Sequence, residues 1–206
     1  MENFWFFIEK IEKFEFVEKK SKFITHLIPA SSEDEAILFV KNIVKKEKGA
    51  THNCFAYRIL DKDKNIIERK NDDNEPAGTA GSPILSVLTG ENLINIVAIV
   101  TRYFGGIKLG TGGLVSSYKK GVIKAIENAT KKEFIFTIER EFKFSIKDIK
   151  HYDYLFKKRN IKIVSKNFSD MVTYTARGTE NDFSKIEEEL RRIDQSNLGN
   201  ICGSPK

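Results

Sequence analysis

Nine of the 13 glycines in this chain fall between Gly78 and Gly121, and five of them crowd the stretch from Thr101 to Leu114. Glycine is where a chain turns sharply or lets another group approach its backbone. What flanks the stretch makes the constraint tight. Ile96 to Val100 is a continuous apolar run, the pattern of a strand buried on both faces. After the glycines, Val115, Tyr118, Val122, Ala125, Ile126 and Ala129 recur at helical spacing, which predicts a helix over about 111–129. A buried strand must therefore pass to a long helix through a glycine-rich turn.

Several classes are excluded by composition. Hydrophobic residues make up 40% of the 206 and charged residues 31%, and 16 Phe, 6 Tyr and a Trp call for a packed core rather than a disordered chain. No apolar run approaches the roughly 18 residues that span a bilayer. The Phe4–Ile8 cluster is too short for a signal-peptide core and runs into Glu9 and Lys10. Two cysteines, Cys54 and Cys202, make no disulfide framework, so a reduced, cytoplasmic setting is expected.

The elements predict an α+β protein of two domains, 1–131 and 132–206. In the first, Phe14, Phe16 and Phe23 to Ile28 predict two strands turning at Lys19-Lys20-Ser21. Ser32-Glu33-Asp34-Glu35 reads as a capping box opening a helix that Gly49 stops. Cys54 to Leu60 and Ile66-Ile67 predict a strand pair. In the second, Phe134 to Ile146 reads as one strand and Asp148 to Arg159 as a helix. A hairpin turning at Ser169-Asp170, a helix over 182–193 and a last strand near Ile201 follow. That order suggests a ferredoxin-like unit.

Candidate chemistry lies in four places. Arg102, Lys108, Gly110, Gly112, Gly113, Ser116, Ser117, Lys119 and Lys120 surround the start of the predicted helix, where free N–H groups and the helix dipole favour a phosphate. The alternative is that the glycines only solve tight packing. Asp72, Asp73 and Glu75 share a Pro/Gly loop, as carboxylates for a cation or a base or as a solvated turn. His52 and Asn53 precede Cys54, so a Cys–His nucleophile pair or a buried cysteine beside a structural histidine are both readings. Lys157, Lys158, Arg159, Lys162 and Lys166 form a basic cluster, read as a solvated face. The glycine pattern matches neither a Walker loop nor a dinucleotide fingerprint. No cofactor, metal or catalytic residue is assigned.

Three runs together, Ala50 to Cys54, Asp72 to Gly81 and Val100 to Gly113, resemble the signature segments of the YigZ/IMPACT family in content, order and spacing. The resemblance implies a first domain with the fold shared by a small-subunit ribosomal protein and the fourth domain of elongation factor G. It also implies a ferredoxin-like second domain. Eukaryotic members regulate translation with an additional RWD domain, so their partner is not carried over. RNA or the ribosome is the partner implied by the domain pairing, by fold-level analogy.

The expectation is thus a non-enzymatic, cytoplasmic, translation-linked regulatory protein that binds RNA or the ribosome through its basic glycine-rich turn, with a protein partner in translation control also admitted and no membrane partner. An enzyme acting on a phosphorylated small molecule or nucleotide, and a protein-interaction module, are the alternatives. The oligomeric state is not legible.

Overall fold

A computed structural model describes residues 5–199, with side chains described as far as Arg192. The chain divides into two compact units, Met1–Phe134 and Ile135–Lys206.

The first unit is built on an antiparallel five-stranded sheet in the order β2-β3-β6-β4-β5. Its strands are β2 (Glu12–Glu18), β3 (Ser21–Pro29), β4 (His52–Leu60), β5 (Ile66–Asn71) and β6 (Ile96–Tyr103). β6 is central and buried from Ile96 to Arg102, as its apolar run predicts. Successive side chains of a strand take opposite faces, so β6 serves two cores. Val97 and Ile99 pack with Ala36 of α1 (Glu33–Lys46). Ile96, Ala98 and Val100 pack with α2 (Gly81–Gly90) and α3 (Gly110–Asn128) on the other side. The result is three layers, helix, sheet and helix pair.

A further two-stranded sheet joins β1 (Trp5–Ile8) to β7 (Lys131–Phe134), antiparallel. That pairing carries the first unit to Phe134 and interrupts the strand expected from Phe134 to Ile146. The chain resumes as β8 (Ile138–Phe144), whose partner is different.

The second unit holds β8, a 3-10 turn at Ile146–Asp148, α4 (Ile149–Lys158), β9 (Lys162–Phe168), β10 (Val172–Gly178) and α5 (Glu180–Gly199). The sheet order is β8-β10-β9, all antiparallel, so the last of these three described strands lies between the first two. Its core is aromatic: Phe144, Phe156, Tyr174 and Phe183 are buried together. The strand expected near Ile201 lies outside the described residues.

Candidate functional site

The register of the sheet brings the site together. His52 opens β4 opposite Arg102 of β6, and Arg102 in turn lies opposite Phe23 of β3. Cross-strand partners share a face, so all three point to the α2/α3 side. Arg102 is only 5% exposed. A buried guanidinium requires a counter-charge, and it finds Glu75, itself 7% exposed, across 27 residues of sequence: Nη1 donates to Glu75 Oε1 at 2.7 Å. The guanidinium also lies over the Phe23 and Phe104 rings, 5.6 and 5.5 Å from their centroids.

Glu75 Oε1 accepts a second hydrogen bond, from the Tyr118 hydroxyl of α3 at 2.7 Å, and His52 Nε2 stands 3.8 Å away. His52 Nδ1 is 2.7 Å from the Asp73 carbonyl oxygen. A carbonyl can only accept, so Nδ1 donates in that contact and the ring's Nε2 is turned toward Glu75. His52 and the acidic loop therefore form one site.

The rest of that loop is scaffolding. Asp72 accepts from the backbone N–H groups of Gly78, Ala80 and Gly81 at 2.9, 3.0 and 2.8 Å, and so caps α2. Burial works against its ionisation, but the three N–H groups outweigh it and hold the carboxyl below its ordinary 3.8. Asp73 Oδ2 accepts from Asn53 N–H at 2.6 Å, and Asn53 Oδ1 accepts from the Thr101 hydroxyl at 2.8 Å. Among the described residues, no three His, Cys, Asp or Glu side chains group to hold a metal ion.

Cys54 lies beneath, its Sγ 2.9 Å from the Asp72 carbonyl and 3.3 Å from the Tyr118 hydroxyl. Burial pushes the thiol up to about 12, and the neighbouring carboxylates add to the shift. The thiolate that a nucleophile needs is thus suppressed. An alkylating reagent at about pH 8 is expected to spare Cys54 in the folded protein and to label it on unfolding. Peptide mass mapping separates it from Cys202, and native labelling at the rate of an exposed thiol would contradict this burial.

Above the ion pair opens a pocket of about 440 Å³, within the roughly 300–1,000 Å³ typical of ligand sites. His52, Glu75 and Arg102 form one wall. The glycine turn brings Phe104 and Lys108, and α3 contributes Gly110 and Thr111 of its first turn. Pro76, Leu109 and Leu114 add apolar surface, and Thr51 completes the lining. The turn is held by a close approach, for a Cβ on Gly105 would stand 1.9 Å from the Lys20 carbonyl oxygen.

The residues expected to read phosphate are thereby divided. Arg102, Lys108 and Gly110 line the pocket, whereas Gly113, Ser116, Ser117 and Lys120 line a separate groove of about 270 Å³ with Glu18 and Lys19. Gly112 and Lys119 are exposed and line neither. Lys120 sits 3.7 Å from Glu18 and over the Phe16 ring. Two contributors escaped the sequence reading. Helical spacing gives Tyr118 only as part of an apolar face, although a buried tyrosine needs a partner for its hydroxyl. Phe104 is 46% exposed, and the sequence signal for it is a large aromatic inside a glycine-rich turn.

The pocket falls wholly inside a recognisable module: the profile of the Impact N-terminal domain matches residues 19–126. The chain belongs to the IMPACT family. It is 47% identical over 124 residues to the IMPACT family member YvyE of Bacillus subtilis, covering 60% of this chain and 56% of that relative. Another IMPACT family member, from Haemophilus influenzae, is 35% identical over 177 residues, 84% of each chain. The crystal structure of a hypothetical protein, 28% identical, superposes with a TM-score of 0.66 over 95% of both chains. The likeness to this IMPACT family member thus extends well beyond the pocket, in sequence to its relatives and in fold to that solved structure.

Proposed function

We propose that this protein is a non-enzymatic, cytoplasmic, translation-linked regulator that takes up single-stranded RNA, free or on the ribosome, in the pocket beside α3. One observation carries the reading. A single opening joins the N-terminus of a 19-residue helix and Lys108 to an apolar wall bearing the exposed Phe104 ring. A phosphate suits the helix end and the lysine, and an unstacked base suits the aromatic ring. Glu75 does not repel the strand strongly, because Arg102 neutralises it at 2.7 Å. The net charge of +6 favours the same partner. The domain pairing supports the link to translation by analogy: the β8-β10-β9 order fits a ferredoxin-like unit.

The test is a salt series of binding to RNA oligonucleotides and to ribosomal subunits. Lys108→Ala should weaken binding and lower the slope of log K against log salt by about 1. Phe104→Ala should weaken it by about 1–3 kcal/mol with little change in slope. Lys119→Ala, outside the pocket, is the control. An unchanged affinity and slope for Lys108→Ala would remove the phosphate from this pocket.

His52 favours a second reading, an enzyme acting on a phosphorylated small molecule or nucleotide, since its ring lines the pocket with Nε2 3.8 Å from the Glu75 carboxylate. Turnover of a nucleotide that vanishes in His52→Gln would favour that reading over simple binding.

A further inference from the structure

We infer that the bound RNA strand continues past this pocket into the groove beside it, where the lysines at the tip of the β2-β3 hairpin hold its phosphate backbone; the inference rests on the RNA reading above. The hairpin turns on two residues, Lys19 and Lys20, between the paired Glu18 and Ser21. Their φ angles are 44° and 66°. Positive φ at both central residues is the type I′ geometry, to which asparagine and glycine are suited. A lysine held in that conformation costs stability. Both lysines are exposed, and among the described residues neither makes an ion pair, in contrast to Lys22 and Lys120, which face Glu15 and Glu18. A charge fixed at that cost, with no partner in the protein, is open to a ligand.

The groove beneath the tip fits a phosphate. Lys19 lines it together with Glu18, Lys120, Ser116 and Ser117. Glu18 and Lys120 offset each other at 3.7 Å, which leaves Lys19 as the net charge of the lining. The two serines are hydroxyl residues, able to donate to phosphate oxygens. No aromatic ring lines this groove, so it suits backbone and not base. Groove and pocket are neighbours, for Leu109 lines both. The tip itself packs on the glycine turn: it is the Lys20 carbonyl that leaves Gly105 no room for a Cβ, and Phe104 and Lys108 of that turn line the pocket. A strand with one phosphate at Lys108 passes Leu109 and meets Lys19 next, a basic track of the kind that follows a single strand.

The decisive variant is Lys19→Asn/Lys20→Gly, which removes both charges and gives the turn the residues its backbone favours. Its melting temperature should rise by about 2–4 °C. Its affinity for a labelled uridine octamer should nevertheless fall by about tenfold at low salt, with the slope of log K against log salt lower by about 1. The dinucleotide UpU, which carries a single phosphate and competes from the pocket, should inhibit parent and variant alike. Lys19→Arg, which keeps the charge at the same backbone cost, should bind the octamer as the parent does. Unchanged octamer affinity and slope in the double variant overturns the second contact and leaves the RNA reading standing, provided Lys108→Ala still weakens binding. Equal losses for UpU and the octamer overturn it as well, since they mark a general charge effect. A lower melting temperature would show that the lysines serve the turn, and weak octamer binding by Lys19→Arg that the charge is not what matters; either result overturns the inference. No binding of the octamer to the parent at low salt overturns both readings.

Discussion

Arg102→Met is expected to cost about 3–5 kcal/mol of stability, the range for breaking a buried ion pair from one side. The substitution keeps much of the apolar stem but removes the guanidinium from between Phe23 and Phe104. Glu75, whose side chain is 3% exposed, would be left with the Tyr118 hydroxyl at 2.7 Å and no guanidinium beside it. A buried carboxylate without a counter-charge is what makes the single change expensive. The double variant Arg102→Met/Glu75→Gln should recover much of the loss, because the second change removes the stranded charge. Urea denaturation reads both, as a shift of midpoint at unchanged slope. A loss below about 1 kcal/mol for the single variant would show that the pair is solvated. RNA binding lost with Arg102 would therefore report on the fold of the pocket as much as on a phosphate contact.

Asp72→Ala is expected to cost about 2 kcal/mol near neutral pH, because the N–H groups of Ala80 and Gly81 at the start of α2, and of Gly78 in the loop before it, lose their acceptor together. Its pH dependence identifies the cause. The Asp72 carboxyl is held below 3.8 in the folded protein, so the unfolded chain takes up the proton more readily. Its contribution is complete above the unfolded value and is lost as pH falls through the lowered folded value. Parent and variant should therefore differ most from neutrality down to about pH 5 and converge in strong acid. A difference that stays constant into strong acid would assign the loss to packing instead of to the charged cap. Asp72→Asn, which keeps a neutral acceptor, should lose less.

Local rules account for much of the chain. The alternation and apolar runs of β2, β3, β4 and β6 are present in the order of residues, and so is the amphipathic face of α3. The Ser32 cap forms as read, its hydroxyl accepting from Glu35 N–H at 3.2 Å. The reciprocal half of the box does not form, for Glu35 turns to Ser31 and accepts from its N–H at 2.7 Å and its hydroxyl at 2.8 Å. α2 was hidden for a related reason. Its first residues are Gly81, Ser82 and Pro83 in a stretch that reads as loop, and its cap is Asp72, nine residues before Gly81. A cap taken from outside the usual window gives no local signal.

The candidate site divides along the same line. The glycine turn, its place between a buried strand and a long helix, and the three signature runs were all legible without a fold, because each rests on neighbours in the chain. Which charges meet was not. Arg102 and Glu75 look alike in sequence to the solvated Lys119 and to the capping Asp72. Only the β3-β6-β4 register and the folding of the 72–81 loop against it bury the first two together while leaving Lys119 in water. The energy of a charge depends on its surroundings far more than on its identity, and those surroundings are assembled from segments tens of residues apart.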